Sequence, residues 1–369
     1  MDKVLMFVYG DITTDARVQR AANSLVNKYD VTVVSVNVHK AVGSFLFKNV
    51  VLNCDCKFHF LKYFIFIFKS LQYLLKNDFV LLYGHDYYSA LLLRIAFCLP
   101  HRKFRILYDA HELIIPEENS EQERRMQFFF KWEKSIIKRV DLLLCASDER
   151  GNLMRDYYGL DKPPVVIRNI SQLCISSDEE TKGIIDSLSD FFSHKGKTVV
   201  YAGVVTSSRE IIRLLQACID LAPQYKLLIV GNGDSVAPMK MLSNKHPELV
   251  VEFTGAVPYK SLGAILSRCD IGYIYYPVNT LNNIYCASNK LYEYASVNLP
   301  ILANKNPTIS NSLLVNDLGV SCEDFVKGII EVDSKLDTYR ENCKLFTKHN
   351  SWNSESQKLQ NAVNEVLSQ

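Results

Sequence analysis

Almost no net charge accumulates along this 369-residue sequence: 42 lysines and arginines face 40 aspartates and glutamates, a formal +2. A chain so balanced has no whole-molecule attraction to nucleic acid, and any basic surface must be local. Long apolar runs are missing too. The early stretch "VLMFVYG" is too short for a secretory leader or a spanning helix, and no cleavage-like site follows it. A buried first strand fits better. The ten cysteines form no C-x-x-C pair and no cysteine/histidine ligand set. Most lie in apolar runs, such as Cys145 in "VDLLLCAS" and Cys269 in "LSRCDIGYIYY". They read as buried, reduced thiols of a cytosolic protein rather than as a zinc site or a disulfide framework. Short-period repeats and low-complexity segments are absent. So is the G-x-G-x-x-G fingerprint of dinucleotide binding, since the first strand runs into "GDITTDAR".

What is present is an alternation of short buried strands with amphipathic helices. "KVLMFVYG" and "YDVTVVSVN" are continuous and β-branched, as parallel strands are. Between them "TDARVQRAANSLVNK" places Val18, Ala22 and Leu25 on one helical face, completing a βαβ unit. Strand "FVLLYGH", helix "YYSALLLRIAFCL", strand "FRILYDAHE", a long helix from about Glu121 to Arg139 and strand "DLLLCAS" continue the series. After a less regular stretch the alternation restarts with "TVVYAG", "SREIIRLLQACIDLA", "YKLLIVGNG", "VVEFTG", "YKSLGAILSRC", "DIGYIYYP", the helix in "SNKLYEYASVN" and "PILAN". The length suits two domains of roughly 150–200 residues. We expect an amino-terminal domain over 1–175, a carboxy-terminal one over 190–348, and a terminal helix over 349–369 that packs back on the first. The fold class is therefore α/β, with two Rossmann-like parallel-sheet domains and a cleft between them.

Ligands of such sheets sit beyond the carboxyl ends of the strands, so residues that follow strands are the site candidates. Gly10 allows a tight turn before a helix whose free N–H groups can meet an anion, or it belongs to an ordinary loop. In "YDAHEL", His111 is flanked by Asp109 and Glu112 at a strand end; an imidazole there can bond a sugar hydroxyl or move a proton. After Gly203, Ser207 or Ser208 can cap a helix whose first turn carries Arg209. A cation at that end of a helix is unfavourable unless an anion such as a diphosphate sits nearby; otherwise Arg209 is a solvated surface group. The turns "VGNGD" and "FTGAVPYKSL", with Gly231, Gly233, Gly255 and Val257, permit close backbone approach to a base. In "SNKLYEYASVNLPILAN", Ser288 and Asn289 begin a helix, Lys290 puts a cation near its open N–H groups, and Glu293 lies one turn on. That cation and carboxylate can grip the phosphate and ribose diol of one ligand, or form a weak surface pair.

Taken in order, "VVYAG", "REIIRLLQA", "KLLIVGNGD", "VEFTGAVPYKSLGAILSRCDIGYIY" and "SNKLYEYASVNLPILAN", with "TDARVQRAANSL" and "YDAHEL" before them, resemble the retaining nucleotide-sugar glycosyltransferases of the GT-B type, group 1 or family 4. The likeness covers nearly the whole chain, and the ordered set is specific where no single piece is. It implies a donor site of Gly10, Gly203, Arg209, Gly231, Val257, Ser288, Asn289, Lys290 and Glu293. It implies catalytic roles for His111 and Glu293, and an acceptor side of Asp11, Arg17, Asp109 and Glu112. Glu293 matches the second glutamate of the family's E-x7-E motif, His111 the strand-end histidine that contacts the donor sugar, and Arg209 the basic residue that binds the diphosphate. The implied chemistry uses no metal and no cofactor beyond the nucleotide-sugar substrate. The sequence departs from the family twice: Tyr285 stands where the first glutamate would fall, and Val204 where an arginine usually follows the glycine.

Residues 57–76, "KFHFLKYFIFIFKSLQYLLK", mix aromatics with Lys57, Lys62, Lys69 and Lys76. This reads either as an amphipathic helix on an anionic membrane or as a core helix under the sheet with lysines at its solvent edge. The resemblance favours the membrane and implies a glycan or lipid-linked acceptor, in the cytoplasm or at the inner membrane face, for surface polysaccharide synthesis. Alternatives are a non-catalytic nucleotide-sugar-binding paralogue and a GT-B-like sugar-nucleotide epimerase.

Overall fold

The computed structural model describes residues 1–36, 45–54, 56–100, 103–116 and 124–369. The chain divides into two compact units, Met1–Asn169 with Asn353–Gln369, and Ile170–Trp352. Residues 170–175, expected in the first domain, and 176–189, left outside both on sequence grounds, belong to the second unit, where Leu173 and Leu188 enter the core.

Among the described residues the first unit is built on seven strands: β1 Lys3–Phe7, β2 Asp30–Val36, β3 Lys48–Leu52, β4 Leu81–His85, β5 Arg105–Ala110, β6 Leu142–Cys145 and β7 Val165–Val166. The second has six: β8 Lys197–Ala202, β9 Tyr225–Val230, β10 Val251–Gly255, β11 Ile271–Ile274, β12 Ile301–Ala303 and β13 Gly319–Ser321. All pairings are parallel, in the orders β3-β2-β1-β4-β5-β6-β7 and β10-β9-β8-β11-β12-β13. Each order reverses beside its first strand, at β1/β4 and at β8/β11. Loops leaving those strands diverge to opposite faces and open a crevice at their carboxyl ends.

The continuous apolar strands follow from burial on both faces. Along β8, Val199 and Tyr201 enter a core with Ile211, Leu214 and Ile329, while Val200 and Ala202 enter another with Ile265, Leu291 and Tyr294. The edge strand β3 is half exposed and carries no such run, so its sequence does not announce it. The helix expected from Glu121 spans Arg124–Ile136, and residues 121–123 lie outside the described residues. The "less regular" stretch contains two helices, Glu179–Ser187 and Ser189–Ser193.

The terminal helix Trp352–Ser368 lies in the first unit from Asn353 onward. Leu359, Val363 and Val366 are buried, Gln360 Nε2 donates to Ser24 O at 2.7 Å, and Glu355 Oε2 accepts from Arg168 N at 2.9 Å. The helix His59–Leu75 buries Tyr63, Phe66, Ile67 and Leu74 but exposes Phe60, Leu61, Phe64 and Phe68. A core role accounts for one face of it. No helix among the described residues is long and apolar enough to cross a membrane. The cysteines are all free; six are buried, while Cys98 and Cys174 are exposed.

Candidate functional site

A cleft of about 440 Å³ opens in the second unit at the carboxyl ends of β8, β9 and β10. Gly203, Gly231, Val257, Lys290 and Glu293 line it, with Val204, Asn232, Tyr259 and Leu262. Backbone conformation makes two of these positions glycine: φ is +143° at Gly203 and +136° at Gly231, and a Cβ on Gly231 would stand 1.9 Å from the Gly203 carbonyl oxygen. The strand ends therefore approach more closely than side chains allow.

The helix Asn289–Ser296 is pinned from below by Tyr294, which is fully buried. Its hydroxyl accepts from Ala202 N at 3.1 Å and donates to Tyr273 O at 3.2 Å, tying the helix to β8 and β11. Lys290 and Glu293, on the turn above, consequently face the cleft. The Lys290 ammonium lies over the Tyr201 ring at 5.7 Å, and a Cβ on Gly203 would stand 2.9 Å from its Nζ. Burial lowers the Lys290 pKa; Glu293 opposes that shift and the Arg209 charge adds to it. Glu293 Oε1 accepts from the Tyr259 hydroxyl at 3.0 Å.

Three expectations here need correction. Arg209 is not in the first turn of an α-helix; it ends a 3₁₀ turn, Ser207–Arg209, and the α-helix starts at Ile211. Its guanidinium donates to Tyr275 O at 2.9 Å and lies 4.3 Å from the Tyr276 ring, so packing holds it without an anion. It lies outside the cleft lining, although its charge reaches Lys290. Neither Ser207 nor Ser208 caps that helix, because Glu210 occupies the cap position at φ +48°. Ser288 is the N-cap residue of its helix but makes no side-chain cap bond. Beside it, Asn289 Oδ1 is buried and meets no donor among the described residues.

In the first unit a second cluster forms at the ends of β4 and β5. Arg17 and Asp109 form a buried two-pronged ion pair, with Nε–Oδ2 at 3.1 Å and Nη2–Oδ1 at 2.5 Å. Arg17 also donates to Ile167 O at 3.1 Å, and the Tyr83 hydroxyl donates to Asp109 Oδ2 at 3.1 Å. Arg17 and Asp109, taken as acceptor-side groups, are thus spent on each other and hidden from solvent. His111 Nε2 stands 3.2 Å from His85 Nδ1 and 3.4 Å from Asp109 Oδ2. Facing a carboxylate and a second ring nitrogen, that Nε2 carries the proton. Burial alone would depress the His111 pKa, but the Asp109 charge, the hydrogen bond to Asp109 and the Asp86 charge together outweigh it and the net shift is upward. His85 is driven well below its ordinary value by burial and by the His111 charge, and stays neutral. Glu112 is exposed and lies 4.0 Å from Arg150 Nη2. Asp11 Oδ1 accepts from Thr13 N at 2.9 Å, stabilising its own loop. Gly10 needs no special conformation: its φ is not positive, and a Cβ would meet just Val8 at 3.9 Å.

Among the described residues His85, Asp109 and His111 form one group whose ligand atoms lie within 4.8 Å of one another. A cation there would face the Arg17 guanidinium, which already engages both oxygens of Asp109.

Sequence reasoning missed His85, Asp86, Tyr259 and Tyr276. The strand-end rule reaches His85 and Asp86, because β4 stops at His85. Asp86 adopts φ 58°, ψ 170°, a region nearly confined to glycine, which no sequence pattern signals. Tyr259 is the first residue of its helix, directly after Pro258, and reads there as an ordinary helix start.

Residues 16–170 match the family model described as Glycosyltransferase Family 4. No curated protein sequence matches the chain. Among solved structures, sucrose-phosphate synthase from Thermosynechococcus elongatus is similar over 100% of both chains, at 14% identity and a TM-score of 0.80. HepE of Anabaena, solved with UDP and glucose, is similar over 99% of this chain and 100% of its own, at 15% identity and a TM-score of 0.74. WaaG, a glycosyltransferase involved in lipopolysaccharide biosynthesis, covers 96% of this chain and 98% of its own, at 12% and 0.68. At such identities the likeness is one of fold. The chain has the GT-B glycosyltransferase fold, and the family match falls on residues 16–170.

Proposed function

We propose that the protein is a retaining glycosyltransferase that moves a sugar from a nucleotide-sugar donor to a glycan or lipid-linked saccharide acceptor in surface polysaccharide synthesis. The observation that carries the reading is the second-unit cleft, where Lys290 and Glu293 project from one pinned helix beside strand ends stripped to glycine. Lys290 and the open N–H groups of its helix suit a diphosphate, Glu293 suits a ribose diol, and the turns at Gly231 and Val257 suit a base. Support also comes from HepE, whose structure holds UDP and glucose on the same fold.

In the proposed step the bond from the anomeric carbon to the phosphate oxygen breaks. The acceptor hydroxyl oxygen bonds to the same face of that carbon, and its proton passes to the leaving phosphate. The donor diphosphate is held by cationic side chains and backbone N–H groups, with no metal. His111 offers a ring atom to a sugar hydroxyl. We assign the exposed face of the helix His59–Leu75, with its lysines, to peripheral contact with an anionic membrane at the cytoplasmic side.

The test is thermal stability against UDP, GDP, ADP, CDP and their common sugars, for wild type and Glu293→Ala. At about 100 times the dissociation constant a bound nucleotide stabilises by about 2.7 kcal/mol. The expected outcome is one nucleotide that shifts the wild type and shifts the variant far less. If no nucleotide shifts the wild type, the cleft reading is wrong.

A further inference from the structure

We infer that Tyr259 is a positioning residue of the cleft: it holds Glu293 in the orientation that grips the vicinal hydroxyls of a nucleotide's ribose. The inference rests on the reading of the cleft as a nucleotide site and goes one residue beyond it. Tyr259 opens the helix Tyr259–Leu266, and its hydroxyl donates to Glu293 Oε1 at 3.0 Å. The same phenol oxygen also shares a hydrogen bond with the Ser171 hydroxyl, and Ser171 is 3% exposed. A phenol has one proton. If Tyr259 gives it to Glu293, the Ser171 hydroxyl must be the donor to Tyr259. The proton order is therefore Ser171 to Tyr259 to Glu293, and the chain runs from a buried anchor to a group lining the cleft.

That arrangement does two things for ligand binding. A glutamate on a helix surface samples several rotamers, and fixing one before the ligand arrives removes an entropic cost from binding. A carboxylate has about four acceptor positions, so one bond from Tyr259 is compatible with two more from a diol. The Tyr259 ring is 52% exposed and lines the cleft, so it also forms part of the wall on which a base can lie. A wall role and a positioning role make different demands. The wall needs the ring; positioning needs the hydroxyl.

The experiment separates them. Binding of UDP, GDP and ADP is measured by calorimetry, each against its 2′,3′-dideoxy counterpart, for wild type, Tyr259→Phe and Ser171→Ala. The wild type should prefer the ribonucleotide. Tyr259→Phe should lose about tenfold in affinity for the ribonucleotide and nothing for the dideoxy form, the cost of a hydrogen bond to a charged group. Ser171→Ala, which leaves the ring and the carboxylate in place, should reduce the preference in the same direction and by less. A purely structural role would weaken both ligands together. If Tyr259→Phe keeps the wild-type preference, or weakens both ligands equally, the positioning role is overturned while the nucleotide site stands. If the wild type binds both forms equally, the ribose grip and the positioning role fall while the nucleotide site stands; if it binds neither, the nucleotide reading falls with them.

Discussion

Three carboxyl groups of the first unit show how burial and partners decide a charge. Asp109 would be raised by burial, but the Arg17 guanidinium and the His111 ring outweigh that and hold it well below the usual carboxylate range. The His111 charge lowers Asp86 too, but too little to offset burial, and no cation acts on Glu133 among the described residues. Burial pushes the carboxyl of Asp86 up to about 7 and that of Glu133 up to about 8; each is raised further by nearby acids. Glu133 is 2% exposed and its Oε2 has no partner among the described residues. The consequence for stability has a definite sign. Between the unfolded value of about 4.3 and the folded value of about 8, the unfolded chain has released the Glu133 proton while the folded protein keeps it. Stability therefore falls as pH rises through that window. Glu133→Gln keeps the shape and removes the ionisation. We expect it to be more stable, relative to wild type, at pH 8 than at pH 5, by on the order of 1–3 kcal/mol in urea unfolding. Parallel stability curves for the two proteins would contradict the assignment. Asp86 titrates in the same window and should leave part of the slope in the variant.

The helix His59–Leu75 is the element whose sequence and burial disagree most. A globular surface helix buries its apolar stripe and shows a polar face. This one buries Tyr63, Phe66 and Ile67 and still exposes Phe60 at 58% and Phe68 at 61%. The exposed residue Phe58 precedes it, and Lys57 and Lys76 sit exposed at its two ends. Aromatics beside lysines complement an anionic bilayer, with each lysine worth about 1 kcal/mol near such a surface. Co-sedimentation should show binding to phosphatidylglycerol vesicles that weakens with salt, and little binding to phosphatidylcholine alone. Phe60→Ser with Phe68→Ser should weaken it by about tenfold or more, since both side chains are mostly exposed in water and available for insertion. Equal binding to neutral and anionic vesicles, or none to either, would return this face to ordinary solvent exposure.

At the scale of the molecule, chain order and domain membership part company. The last helix follows the whole second unit yet completes the first. It buries Leu359, Val363 and Val366, and Asn364 accepts from the Tyr29 hydroxyl at 2.6 Å. Removing 353–369 deletes these three buried apolar side chains, about 5 kcal/mol at roughly 1.5–3 kcal/mol each. Hydrogen exchange should accelerate in β1, β2 and the helix Ala16–Leu25 of the truncated protein. Exchange in β8 to β13 should change little. Uniform loss of protection across both sheets would show that the helix stabilises more than the first unit.

Much of this organisation was legible in the residues alone. Continuous apolar runs marked ten of the parallel strands, because a strand buried on both faces must be apolar throughout. The glycines at 203 and 231 and the pair Lys290/Glu293 could be placed at strand ends and at a helix start by period and capping signals, and the structure brings all four to one cleft. Edge strands such as β3 escaped, since a half-exposed strand carries a weaker pattern. What the sequence could not decide was which polar groups spend themselves on one another. Arg17 lies 92 positions from Asp109, and Tyr259 lies 34 from Glu293. Partnership across such distances is a property of packed geometry, and no local spacing encodes it. Tertiary structure alone turned Arg17 and Asp109 inward as a buried pair, stacked Arg209 on Tyr276, and set Lys290 and Glu293 in the lining of one cleft.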